Sequence, residues 1–95
     1  MKPWRPSGGL GPPRGEPILS WVAPNLVWIW TGPNPTTWVI EQSTTAGGPF
    51  SLFSTVSGTF RFAGVPFDFF YRVFGTGPGP TFPVLTPTSN VVEST

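Results

Sequence analysis

Cysteine and histidine are both missing from this 95-residue chain. Without cysteine there is neither a disulfide framework nor a thiolate metal site, so packing alone must hold the fold. Without histidine the commonest general base and the usual transition-metal ligand are gone too. Charge is scarce: charged residues make up 9% of the chain, against about 25% in an average soluble domain. A net charge of +1 excludes a strongly basic nucleic-acid footprint or an acidic solvating tail as the main theme. No run approaches the roughly 20 apolar residues of a membrane-spanning helix, and no segment has the charged start and apolar stretch of a secretory signal. The chain is therefore expected to stay where it is made unless it leaves within something larger.

Helix is also missing from the pattern, since proline or glycine cuts every window in which apolar residues recur at three and four. What the chain has in quantity is 14 Pro, 12 Gly and 16% aromatics. Proline and glycine crowd residues 1–16, which carry Lys2, Arg5 and Arg14 without an apolar period. Such a segment is expected to be an extended arm, because proline removes donors and glycine loses much backbone entropy on ordering.

Residues 17–95 read as one domain. Short β-branched and aromatic runs alternate with Pro, Gly, Asn, Ser and Thr breaks every eight to twelve residues, the pattern of an antiparallel sandwich. The spacing predicts seven strands, near residues 18–22, 26–31, 37–43, 50–56, 59–63, 67–75 and 88–93. Gly32-Pro33-Asn34-Pro35 predicts a turn, Ala46-Gly47-Gly48-Pro49 supplies positive-φ positions, and Ser57-Gly58 reads as a hairpin tip.

Several segments then resemble a fibronectin type III domain, in order and over most of the chain from about Pro17 to Val92. Trp30 stands where that family commonly has a core tryptophan. Trp38-Val39-Ile40-Glu41-Gln42-Ser43 is similar to its aromatic-x-V-E-x-S strand, Tyr71-Arg72-Val73-Phe74-Gly75 to its Y-R-V-x-A, and Ser89-Asn90-Val91-Val92 to its closing S-N-V-V. The resemblance implies a seven-stranded antiparallel β-sandwich, fibronectin type III or immunoglobulin-like, behind the extended arm. One departure is Phe69, at the position where the family often has the tyrosine whose hydroxyl ties strand to loop; that hydrogen bond is expected to be missing.

No catalytic, cofactor-binding or metal-binding residues emerge. Glu41 and Arg72 fall on neighbouring strands, outward, and read as a cross-strand ion pair. The glycine clusters at residues 7–11 and 75–79 precede no helix and lack the Lys-Ser/Thr of a phosphate loop, so they read as connections. Trp4 with Lys2 and Arg5 is the basic-aromatic cluster of the arm, too weakly charged for nucleic acid to be the expected partner.

Alternation sends Trp28, Trp30, Trp38, Ile40, Phe69, Tyr71 and Val73 to the core. It sends Val39, Phe70 and Phe74 to the opposite face, where clustered apolar groups mark an interaction surface; a slip of one residue would exchange the faces. Phe82, Val84 and Leu85, in a proline-rich loop, either form a second contact surface or fold back to cap the sandwich. Trp4, Arg5, Val39, Phe70, Phe74, Phe82, Val84 and Leu85 are thus the candidate partner-binding residues. The expectation is a non-enzymatic structural protein of a larger assembly, a virus or phage decoration or minor capsid protein made in the host cytoplasm and residing in the virion. Its partners would be a major capsid or other subunit, or a second copy of itself. The alternative is an independent fibronectin type III-like module binding carbohydrate or protein in a bacterial surface or secreted system.

Overall fold

A computed structural model describes residues 15–95; residues 1–14, with most of the expected arm, lie outside the described part. The described chain forms β1 (Ile18–Val22), β2 (Asn25–Ile29), β3 (Thr37–Ser43), β4 (Ser51–Ser57), β5 (Phe62–Gly64), β6 (Phe70–Thr76) and β7 (Val92–Glu93). Every pairing is antiparallel. One sheet has the order β1-β2-β5 and the other β4-β3-β6-β7. This is the expected two-sheet sandwich of fibronectin type III or immunoglobulin-like organisation, with the fourth strand beside the third.

The core follows the alternation of the sequence. The three-stranded sheet contributes Leu19, Leu26 and Trp28, and the four-stranded sheet contributes Trp38, Ile40, Tyr71 and Val73, all buried. Trp28 meets Trp38 edge-on at 5.8 Å between ring centroids, and Trp30 meets Trp38 at 6.3 Å. Large aromatics each bury roughly 150–250 Å², which is how so short a body dispenses with disulfides. Trp30 and Phe69, expected inside, are partly buried and pack against this cluster. The indole N–H of Trp38 donates to the Gly58 carbonyl at 3.0 Å, whereas that of Trp28 is buried without a partner among the described residues.

Ser57-Gly58 is not a hairpin tip. β4 and β5 belong to different sheets, and this segment crosses between them. Gly58 is buried there, and a Cβ on it would sit 1.6 Å from the Pro35 carbonyl oxygen, so close backbone approach explains the glycine. Of the Ala46-Gly47-Gly48-Pro49 turn, Gly48 takes the positive φ, at 85°.

The last strand is shorter than the spacing predicts because, along the outer edge of β6, backbone N–H groups of Leu85 and Ser89 still donate to Gly75 and Val73 while hydroxyls take the place of backbone acceptors. Gly75 N–H donates to Thr86 Oγ1 at 2.8 Å, and Val73 N–H to Ser89 Oγ at 2.9 Å. Pro87, between them, has no N–H to offer. The tyrosine tie is present, carried by Tyr71 rather than lost at Phe69: its hydroxyl donates to the Pro66 carbonyl at 3.2 Å and accepts from Gln42 Nε2 at 3.0 Å.

Asn90 laces the side where the two sheets meet. Its Oδ1 accepts from Leu19 N–H at 2.8 Å while its Nδ2 donates to Leu19 C=O at 2.9 Å. Both bonds fall on β1, and the indole N–H of Trp21 adds a third tie, to the Thr95 carbonyl at 3.1 Å.

Candidate interaction surfaces

The candidate contact residues divide into three groups in space. Trp4 and Arg5 lie outside the described residues. Val39, Phe70 and Phe74 occupy the outer face of the four-stranded sheet, as the alternation requires, with Val39 directly opposite Phe74 in register. They are half-buried rather than open. Polar pairs share their face: Glu41 stands opposite Arg72, and Arg72 Nε donates to Glu41 Oε1 at 2.6 Å. The Arg72 guanidinium also lies 4.3 Å from the centre of the Phe50 ring. Here is the expected cross-strand ion pair, on a face of mixed character.

Phe82, Val84 and Leu85 all stay exposed. The loop folds on itself: Gly77 N–H donates to Pro83 C=O at 2.8 Å, Leu85 N–H to Gly75 C=O at 2.9 Å, and Thr76 bridges Val84. Phe82 takes a φ of 44°, a left-handed conformation uncommon outside glycine, and its ring covers Gly79 so closely that a Cβ there would meet it at 2.6 Å. The apolar side chains do not cap the sandwich. Thr86 is the residue that turns inward, where it caps the Gly75 N–H.

A further set of exposed apolar side chains, absent from the candidates drawn from the sequence, lies on the outer face of β1-β2-β5. Ile18 pairs with Ile29, Val22 with Asn25, and Val27 with Phe62. Ile29 is 64% exposed and Phe62 57%, with Ile18 and Val22 also more than half open. Phe60 continues the patch, stacked on Phe62 at 6.2 Å and 7° between ring planes. No charged residue falls in any of these three strands. Part of the signal lies in the sequence: of the outward positions, Ile18 and Val22 of β1 and Val27 and Ile29 of β2 are apolar, while Ser20 and Asn25 are polar.

The chemistry elsewhere is structural. Arg61 donates to Asn34 Oδ1 at 2.6 Å and to the Gly58 carbonyl at 2.7 Å, and lies over the Trp38 ring, so both arginines of the body are engaged within it. Among the described residues no three His, Cys, Asp or Glu side chains cluster to hold a metal. Burial pushes the Tyr71 hydroxyl above its ordinary value near 10, partly countered by the hydrogen bond from Gln42. No helix of the described residues is long and apolar enough to cross a membrane.

No family model, curated protein or solved structure matches the chain. The class therefore rests on architecture: a small all-β sandwich of the fibronectin type III or immunoglobulin-like kind, consistent with a structural or binding module.

Proposed function

We propose that this chain is a non-enzymatic structural subunit that docks onto another protein of its assembly through the outer face of β1-β2-β5. The observation that carries this reading is the uncharged run of Ile18, Ile29, Val27, Phe62 and Phe60 across the outer face, with Val22 at its far corner beside Ser20 and Asn25, since contiguous exposed apolar side chains usually mark an interaction site. Low overall charge supports it, because a sandwich with 9% charged residues has little to keep such a face solvated on its own. The stiffened loop carrying Phe82, Val84 and Leu85 provides an accessory contact whose ordering cost is already met. A virus or phage particle, with the chain as decoration or minor capsid protein, is the finer form of the proposal. It draws on the same scarcity of charge and on the Pro/Gly-rich sequence of residues 1–16, suited to threading between subunits.

The test is a double substitution, Ile29→Thr with Phe62→Thr, at two outward and mainly exposed positions. Near-UV circular dichroism should keep the tryptophan signature of the folded core while the retention of the chain on a hydrophobic-interaction column falls. Unchanged retention would show that this face is not the dominant apolar surface.

A further inference from the structure

The outward side chains of β1-β2-β5 form rows across the sheet. Ile18 pairs with Ile29, and the pairing of β2 with β5, continued by the bond from Trp28 N–H to Arg61 C=O at 2.9 Å, sets Phe60 on the far side of Ile29. Ser20, Val27 and Phe62 make the middle row, and Val22, Asn25 and Gly64 the last. The face is thus bulkier on the β5 side of its first two rows and slighter on the β1 side. No charge interrupts it.

Gly64 is a residue that its own fold does not require. It is exposed, its φ lies outside the left-handed region, and a Cβ on it would meet nothing closer than Asn25 Oδ1 at 3.5 Å, an ordinary contact. Gly58 and Gly75, by contrast, are demanded from within, where a Cβ would meet Pro35 at 1.6 and 2.7 Å. Glycine weakens a strand and often marks a place where another chain comes close.

We infer that this face is covered by the same face of a second copy, related by a twofold axis that runs along β2 midway between the two sheets. The inference rests on the docking face proposed above and names its occupant. The axis lays β5 of each copy over β1 of the other, so that Phe60 covers Ile18, Phe62 covers Ser20, and Val22 sits over Gly64. In the last two contacts a large side chain meets a small one, as close packing requires. β2 lies over β2, where Val27 meets Val27 and Asn25 meets Asn25, whose carboxamides each carry donor and acceptor. Aligned sheets pack in this way about 10 Å apart. Neutrality argues for the same partner: the outer face of the other sheet carries the Glu41–Arg72 pair, whose burial would cost its hydration, whereas two β1-β2-β5 faces bring no charge together.

Ile18, Val22, Ile29, Phe60 and Phe62 are each half exposed or more, which amounts to on the order of 500 Å² per copy and about 1,000 Å² for the pair, the lower limit for a specific interface. Association is therefore weak and concentration-dependent. An isologous contact closes at two copies and does not propagate.

Light scattering of the unsubstituted full chain should show a mass rising from 10.3 kDa toward twice that value, and no further, between about ten micromolar and about one millimolar. Gly64→Val has room within the fold and suits a strand, so near-UV circular dichroism of the core tryptophans should persist while the chain stays monomeric over that range. Thr55→Val, an apolar change on β4, should leave the rise in place. Ser20→Asp and Phe62→Lys, each monomeric alone, should dimerise when mixed, because the axis sets residue 20 of one copy against residue 62 of the other. A constant monomer mass, growth beyond two copies, a dimer that survives Gly64→Val, loss of the rise in Thr55→Val, or a mixture no heavier than its components would each overturn the inference. The docking face itself falls only if Ile29→Thr with Phe62→Thr leaves column retention unchanged, so the two failures are read separately.

Discussion

Replacing Asn90 by alanine removes the one side chain that, among the described residues, satisfies both edge groups of Leu19. The two bonds, at 2.8 and 2.9 Å, join neutral partners that are partly buried, and such bonds contribute about 1 kcal/mol each. The expected loss is therefore about 2 kcal/mol, out of the 5 to 15 typical of a small domain. At this size it corresponds to a fall in melting temperature of roughly 8–16 °C. Urea unfolding followed by tryptophan fluorescence measures it directly, with an unchanged slope indicating that the unfolded state is unaffected. Asn90→Asp sharpens the test because it preserves shape. The carboxylate still accepts from Leu19 N–H but faces Leu19 C=O with an acceptor, so at pH 7 the variant should be no more stable than alanine. Protonation restores a donor, so the gap from the unsubstituted chain should narrow as pH falls through the ordinary carboxyl range near 4. A loss under about 0.5 kcal/mol for alanine, or an aspartate variant equal to asparagine at pH 7, would refute the role assigned to Asn90.

Two further outcomes concern the core. Tyr71→Phe should cost about 1 kcal/mol, because Pro66 C=O keeps its bond from Ser94 Oγ at 2.8 Å. The folded-state pKa of Tyr71 is raised, so the native state holds its proton longer: stability is full below pH 10, declines above it, and the phenylalanine variant should lose that part of the alkaline decline. Trp38→Phe should cost about 1–2 kcal/mol more than Trp28→Phe, since only the Trp38 indole N–H has an acceptor to abandon. Chemical denaturation of the two variants side by side decides this, and equal losses would contradict it.

β1 and β3 were legible in the sequence to the residue, because Pro17 and Pro24 bound one and Pro35 and the Ala46-Gly47-Gly48-Pro49 turn bound the other. The register of β3 on β6 was legible as well, since inward Trp38, Ile40, Tyr71 and Val73 leave Glu41 and Arg72 to meet on the other face. The end of the chain was not. Thr88 to Val91 has the composition of a strand, yet Thr86, Ser89 and Asn90 spend their side chains on backbone groups of β6 and β1, a use that propensity does not encode. The tyrosine tie was sought at Phe69, two residues early, because the strand was expected to begin at Phe67, whereas Ser94 holds Asp68 and Phe69 in the preceding corner. The apolar face of β1-β2-β5 is only partly marked in the sequence, because Ser20 and Asn25 interrupt it. Ile18, Val22 and Ile29 are as apolar as core residues, and only sheet order shows that nothing in the described chain covers them.

Hydroxyl-radical footprinting of the chain alone and in its assembled state, read by mass spectrometry, tests the central claim most directly. The account predicts heavy labelling of Ile29, Phe60 and Phe62 in the free chain and their protection on assembly, with Trp28 and Trp38 unlabelled in both. Protection confined to Phe70 and Phe74, or an unchanged pattern on β1-β2-β5, would contradict it.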